Sequence, residues 1–453
     1  MGLRLLSNDS GSANNVGVEL KLWSHWLLGY GPARALLTLL ARRGDPFAQL
    51  VIDSSQPGNG HRLVEQIRER GRLSAVAGNG WATADAQIVR DVLRDDRFRT
   101  FKPRDRSPFR VVQWMVAKTN PGVLSGLEPP SLLVVDPPEH ARLRRLVSRA
   151  FTPRATDRLR DRIEEIVNGV LDDLEGNSEC DLIASYASRV PIEVIAEMLG
   201  IPREEVPGLY KFADPGAKLL TATVPSWTDF RTAIAALREF ESYLDAHIER
   251  LRRRGGDNSI LSAVLEDRDL TALEVRMFAG LLLGAGFITT TYAFGNAVVT
   301  LVSHPDQLAY LQAHPEGWPN AVEETLRCHA VAQLSVRLAT QPLQIDGRAV
   351  QKGSTVFLLI AGANRDPAVF ERPNEFDTTR ANARDHITFG TGVHACLGAP
   401  LARMELNIGL QALFERFPQL ALAGQPTLND STLLHGFKRL PVNLGPARVA
   451  LGG

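Results

Sequence analysis

Apolar residues recur at three- and four-residue spacing over most of this chain, the period of a helix with one face buried. From Thr152 to Leu174, Leu, Ile and Val alternate with Arg, Asp and Glu in that rhythm. Phe230 to Arg254 repeats it and closes on Arg252-Arg253-Arg254-Gly255-Gly256, cations in a last turn followed by glycine. That arginine run reads as a solvated helix end. Leu273 to His304 is apolar and free of proline, and Glu274, Arg276 and Asn296 interrupt it. It reads as a core helix rather than a membrane span. Residues 320–328 and 397–417 continue the helical pattern. Strand signals are confined to 343–350 and 355–360, and a proline-punctuated extended stretch runs from Asn364 to His386. No internal repeat or interior low-complexity linker occurs. The pattern predicts a mainly α protein, one large helical domain with small β-sheets over residues 45–453.

The first 17 residues are rich in Ser, Asn and Gly and predict a disordered tail, taken here as 1–20. They show no signal-peptide apolar core, and Leu6 stands where N-myristoylation needs Ser or Thr. Residues 21–44 predict an amphipathic extension. Within it, Trp23 to Ala41 contains His25, Gly29, Gly31, Pro32 and Arg34, too polar for a span. A helix packed on the body is the reading, with an interfacial membrane helix as the alternative.

Composition narrows the function. With 453 residues and 44% hydrophobic side chains, the chain can enclose a cofactor pocket. Its formal net charge is zero, so no global field favours nucleic acid or an anionic surface. Cys180, Cys328 and Cys396 are odd in number, far apart and without metal-finger spacing. They point to a reducing, cytoplasmic setting.

The chemistry is concentrated in Phe389-Gly390-Thr391-Gly392-Val393-His394-Ala395-Cys396-Leu397-Gly398. This puts one cysteine on a glycine-rich loop directly before a helix. Unpaired N–H groups and the positive helix end would lower its pKa and make it an anionic ligand. Glycines permit a tight turn and close approach of something flat. The run resembles the haem-binding signature of the cytochrome P450 family, Phe-x-x-Gly-x-His/Arg-x-Cys-x-Gly, through Phe389, Gly392, His394, Cys396 and Gly398. The resemblance implies the P450 fold and haem b held by Cys396 as axial thiolate, a ligand that favours O–O cleavage.

Three further stretches are similar to that family. Glu324-Thr325-Leu326-Arg327 matches its Glu-x-x-Arg, and Arg380, after Phe370–Phe376, looks like the meander arginine that completes a buried Glu–Arg–Arg network. Asp136-Pro137-Pro138-Glu139-His140 leads into Arg144, four residues on and so on the same helical face. The resemblance places His140, Arg144, Arg337 and His394 at the haem propionates. Gly284-Ala285-Gly286-Phe287-Ile288-Thr289-Thr290 resembles the oxygen-activation motif. There Ala285 and Gly286 would admit a flat ligand, and Thr289 would bond back to the carbonyl four residues earlier or donate into the pocket. The chain departs from the family at Ile288, where an acid is usual, and at Val331-Ala332, where proline is usual. Ile288 puts efficient coupling of electrons to hydroxylation in question.

The implied activity is a monooxygenase that inserts one atom of dioxygen into a hydrophobic small molecule. Trp114, Met115, Val116, Leu219, Leu220, Phe278, Leu282 and Phe287 are candidate pocket residues. No flavin, dinucleotide or iron–sulfur motif occurs, so electrons are expected from a ferredoxin and ferredoxin reductase. Arg142, Arg145, Arg149 and Arg403 are the candidate docking cations. Two alternatives stand beside this: a haem-thiolate enzyme that uses peroxide or couples or rearranges its substrate, and a non-catalytic haem-binding protein.

Overall fold

The structure is a computed structural model that describes residues 9–52, 59–77, 79–107, 109–148, 151, 159–221, 223–257 and 259–447. Its first helices are α1 (Asp9–Gly29), α2 (Gly31–Arg42), α3 (Pro46–Ile52) and α4 (Asn59–Glu69). Strands β1 (Ser74–Val76), β2 (Gly80–Thr83) and β3 (Phe98–Thr100) flank α5 (Ala86–Arg94). Then come α6 (Arg110–Lys118), α7 (Glu139–Ser148), α8 (Arg160–Asp172), β4 (Glu179–Asp181), α9 (Arg189–Leu199), α10 (Val206–Thr221), α11 (Trp227–Arg254) and α12 (Ile260–Leu265). The central run joins α13 (Ala272–Leu281) through a π-turn, Leu282–Gly286, to α14 (Phe287–Val302). After α15 (Pro305–Ala313) and α16 (Trp318–Cys328) lie β5 (Ser335–Ala339), β6 (Leu343–Ile345), β7 (Arg348–Val350), β8 (Thr355–Leu358) and α17 (Ile360–Ala363). The long helix α18 (Ala399–Arg416) precedes β9 (Ala421–Leu422), β10 (Thr427–Leu428), β11 (Phe437–Arg439) and β12 (Pro441–Asn443).

Local chemistry sets the main boundaries. Ser226 caps α11 by accepting from the Asp229 N–H, and Gly255 ends that helix at φ 80°. Thr271 and Glu274 form a reciprocal capping box at the start of α13. The run Ala272–Val302 is long and apolar enough to cross a membrane, yet it is the central core helix, with Phe294, Ala297, Val298 and Leu301 almost fully buried. Apolar faces of α8, α9, α16 and α18 meet it in the largest core cluster. A mixed five-stranded sheet, ordered β1-β2-β8-β5-β3, covers one side. Only β2 and β8 run parallel; β5 pairs antiparallel with β8 and β3, which places Arg337 opposite Val356 and Thr100.

One expectation needs correction and another falls partly outside the described residues. Residues 9–20, expected as disordered tail, are helical in α1, and residues 1–8 lie outside the described residues. Once one end of a helix is held, each added residue gains a bond at little cost. Here the holding end is packed: Leu22 and Tyr30 are buried against Phe230, and His25 stacks on Phe230 with ring centroids 5.8 Å apart. The helix expected over 152–174 is described only as α8, since 152–158 lie outside the described residues.

Candidate active site

The cysteine loop is held from three sides. The Cys396 N–H donates to the Phe389 carbonyl at 2.8 Å, closing the loop on itself. Gly390 and Gly392 take φ of +66° and +73°, and a Cβ on Gly392 would lie 2.6 Å from the Leu93 carbonyl oxygen, so α5 packs where a side chain would stand. Asn364 donates to Thr388 Oγ1 and accepts from the Ile387 N–H, while Thr388 Oγ1 donates to the Leu326 carbonyl. Cys396 then sits three residues before α18. Burial pushes its thiol up, against the opposing pull of the Gly398 and Ala399 N–H groups and of Arg144 and Arg403. The helix end acts as expected, but in the protein alone burial outweighs it. The side chain nevertheless keeps open surface, as befits a group lining a cleft.

Glu324, Arg327 and Arg380 meet in the interior. Arg327 donates to Glu324 at 2.7 and 2.8 Å, and Arg380 Nε donates to Glu324 Oε1 at 2.9 Å. Remaining guanidinium donors reach the carbonyls of Asn364, Pro373, Glu371, Arg372 and Glu375. The triad thus ties α16 to the extended stretch before the cysteine loop. Both charged partners of the Glu324–Arg327 pair are fully shielded from solvent, so each requires the other.

Sequence reasoning missed a second network beside it. Glu323 is buried, accepts from His386 Nε2 at 2.9 Å, and pairs with Arg403 Nε at 2.7 Å. His386 Nδ1 accepts from the Thr388 N–H, which leaves Nε2 as the protonated nitrogen. Arg403 lies 4.5 Å from the Phe389 ring centroid. Burial alone would raise the Glu323 carboxyl; hydrogen bonds from His386 and Arg403 override it and hold the group at about 2. The doubled acid Glu323-Glu324 was the available signal, because the two neighbours face different partners. Glu405 on α18 was also missed: its Oε2 has no hydrogen-bond partner, and burial pushes its carboxyl up to about 8.

His140, His394 and Arg337 converge. The two imidazoles stand 4.2 Å apart by ring centroid. Burial lowers both, His394 to about 4; Arg144 adds to the effect on His140, and His140 and Arg337 add to that on His394. Arg337 is buried, and burial depresses it to about 10. Its Nη1 donates to Ser335 Oγ and the Val336 carbonyl, and among the described residues no carboxylate lies within ion-pair distance. A buried guanidinium beside two neutral imidazoles calls for an anion. Haem propionates would supply that charge, and the position of a Gly398 Cβ is open space, so these residues fit the group. Arg144 shares the His140 face, and its Nη1 donates to the carbonyls of Ala395 and Val393, bracing the cysteine loop.

On α13–α14 the π-turn falls on the Gly284–Gly286 motif. Thr289 Oγ1 donates to the Ala285 carbonyl at 2.6 Å, the back-bond anticipated for it. Gly286 needs its size for another reason than the one expected. A Cβ there would meet Ile195 Cδ1 of α9 at 2.9 Å, so a side chain would force the Ile195 side chain to move. Ile288 is buried in the core beside it.

An apolar cavity opens next to Gly284, between α10, α11, α13 and residues 124–126, lined by Leu219, Phe240, Met277 and Leu283 among others. Among the described residues, Leu219 is the one expected pocket residue that lines it. Trp114 is exposed, Val116 packs by Gly29 of α1, Phe287 packs edge-on against Tyr210, and the Leu220 side chain lies outside the described residues. Val331–Gln333 is pinned to residues 433–435 by Gln333 N–H to Leu433 O and His435 N–H to Val331 O. The expected basic docking face is also altered. Arg142 pairs with Glu139 and Glu274, Arg403 pairs with Glu323, Arg145 is exposed, and Arg149 lies outside the described residues.

A cysteine held in this way at a helix start, with a buried guanidinium and two imidazoles converging nearby, is an arrangement that suits a haem-thiolate protein. A family model described as cytochrome P450 matches residues 318–443, the span holding Glu324, Arg380 and Cys396. The putative cytochrome P450 140 of Mycobacterium tuberculosis (strain ATCC 25618 / H37Rv) is 38% identical over 94% of this chain and 98% of its own. The 6-deoxyerythronolide B hydroxylase of Saccharopolyspora erythraea is 34% identical over 85% of this chain and 96% of its own. The crystal structure of CYP164A2 from Mycobacterium smegmatis superposes with a TM-score of 0.77 at 34% identity, covering 88% of this chain and 99% of that one. The chain belongs to the cytochrome P450 family. It has that family's mainly helical fold, is an oxidoreductase of the monooxygenase class, and takes haem b with a cysteine thiolate as axial ligand.

Proposed function

We propose that Cys396 is the axial ligand and that the enzyme inserts one atom of dioxygen into an apolar small molecule, with electrons from a ferredoxin and its reductase. The observation that carries this is the Cys396 loop, locked to α16 through Thr388 and Asn364 and to α7 through Arg144. When bound, the haem supplies oxygen activation, and the thiolate strengthens its O–O cleavage. The protein residues do the rest. Arg337 neutralises the propionates, and the His140 and His394 imidazoles orient them by hydrogen bonding. The Glu324 triad keeps the ligand loop from shifting. The cavity beside Gly284 takes the substrate by apolar contact and excludes water. Thr289 holds a proton at Oγ1, directed at the Ala285 carbonyl, and must rotate to pass it on. Ile288 offers it no acid to draw from.

That last point favours a second reading, turnover with peroxide or a coupling or rearrangement reaction, in which the chain need not deliver protons to dioxygen. One experiment separates the two. The holoenzyme is run on a panel of apolar macrocycles, steroids and fatty acids under ¹⁸O₂ with ferredoxin, reductase and NAD(P)H, and in parallel with peroxide. Label in the product of the electron-driven reaction supports the proposal. Product from peroxide alone, or no oxygenated product from any compound that shifts the haem spin state, overturns it.

A further inference from the structure

Fourteen large apolar side chains stand exposed among the described residues, and nine of them lie on α1, α2 and α6 with its preceding residue Phe109. They form stripes. On α1, Trp23 and Leu27 are four residues apart, on the side away from the buried Leu22 and His25; on α2 the pair is Leu36 and Leu39; on α6 it is Val111 and Trp114. The helices are one unit. His25 Nδ1 of α1 bonds to the Val116 carbonyl of α6 at 3.1 Å, and Leu27 packs 3.2 Å from where a Gly31 Cβ of α2 would stand. Trp26 Nε1 donates to the Pro225 carbonyl at 3.0 Å, fastening the unit to the start of α11.

Charge on this unit is one-sided. The whole chain balances 51 cations against 51 carboxylates, but residues 18–43 and 109–118 carry Lys21, Arg34, Arg42, Arg43, Arg110 and Lys118 against Glu19 alone. Glu19 is engaged by Arg231 of α11 at 3.8 Å, and Arg34 bonds to the Val224 carbonyl. Lys21, Arg42, Arg43, Arg110 and Lys118 are exposed, and Lys118 extends over the Trp114 ring at 6.0 Å.

We propose that this face is a peripheral docking surface for an anionic lipid bilayer. Exposed Trp, Phe and Leu on adjoining helices, rimmed by lysine and arginine, fit the apolar boundary and the negative headgroups together. A second copy of the chain is a poor occupant, because a twofold contact would set two cationic rims against each other. The inference does not depend on Cys396 chemistry or on the electron donor.

The test is flotation of the full-length holoprotein with vesicles of phosphatidylglycerol or of phosphatidylcholine, at low and at physiological salt. Binding is expected to phosphatidylglycerol, weakening with salt and at least about tenfold weaker to phosphatidylcholine. Arg42→Glu/Arg43→Glu should weaken it by about tenfold or more, and so should Trp23→Gln/Trp114→Gln. Both pairs are on the surface, so the reduced carbon-monoxide spectrum should stay intact and shows that each variant is folded. No binding to phosphatidylglycerol, equal binding to both lipids, or unchanged binding by both variants overturns the proposal. So does a solution dimer that the same substitutions dissolve, which would make the face a protein contact.

Discussion

Glu323→Gln keeps the shape of a buried side chain and removes its charge. In the folded chain, desolvation would push this carboxyl up, but hydrogen bonds from His386 and Arg403 hold it at about 2 against an ordinary 4.5. A folded-state value below the unfolded one stabilises the protein above pH 4.5 and ceases to do so as pH falls toward 2. The difference corresponds to about 3 kcal/mol at pH 7 and about 2 kcal/mol at pH 3.5. Only 3% of the side-chain surface is exposed, so solvent screening takes little from that figure. Unfolding entropy of about 2 cal/mol/K per residue converts about 3 kcal/mol into a melting shift of roughly 3 °C for this chain length. Equilibrium denaturation of wild type and Glu323→Gln at pH 7 and pH 3.5 measures it. The reasoning fails if the two proteins are equally stable at pH 7, or if the gap does not narrow at pH 3.5. Because Arg403 lies over Phe389, the variant should also shift the Soret band of the cysteine-ligated protein by a few nanometres at most, without abolishing it.

Cys396→Ala should abolish the long-wavelength Soret band of the reduced carbon-monoxide form, while Cys180→Ala and Cys328→Ala keep it; a normal band in the Cys396 variant would remove it as ligand. Glu324→Ala and Arg327→Ala should each cost about 3–5 kcal/mol by leaving a buried charge unpaired, read as loss of soluble holoprotein. Wild-type haem content in both would contradict the buried triad. Glu405 has a folded value raised to about 8, so it should favour the fold below pH 4.5 and lose that effect as pH rises through 8. Relative to Glu405→Gln, wild type should therefore lose stability between pH 5 and 9 in denaturant titrations, and parallel pH profiles would refute this. Thr289→Ala should raise peroxide leakage per electron pair, and Ile288→Glu should lower it, within the roughly 10²–10⁴-fold range of general acid–base groups. Unchanged coupling in both would place proton delivery elsewhere.

Much of the site was legible because it is local. The glycines around Cys396, the three-residue spacing of Glu324 and Arg327, and the four-residue spacing of His140 and Arg144 each lie within one loop or helix turn, where short-range geometry decides which way a side chain points. The helical segments read from periodicity for the same reason: α11, α16 and α18 lie within three residues of their expected ends. The short strands β1 to β3 and helices α9 and α10 went unread, since strands of three or four residues carry too little pattern and α9 is buried nearly all round.

Partners remote in sequence were decided by the tertiary structure alone. Arg144 meets carbonyls about 250 positions away, Ile195 packs where a Gly286 side chain would stand, and Arg403 pairs with the buried Glu323 carboxylate. No spacing rule reports such meetings, because they follow from how whole helices stack. Sequence alone determined the chemistry available at Cys396. Packing determined which charges are neutralised around it and which stand free on the outer helices.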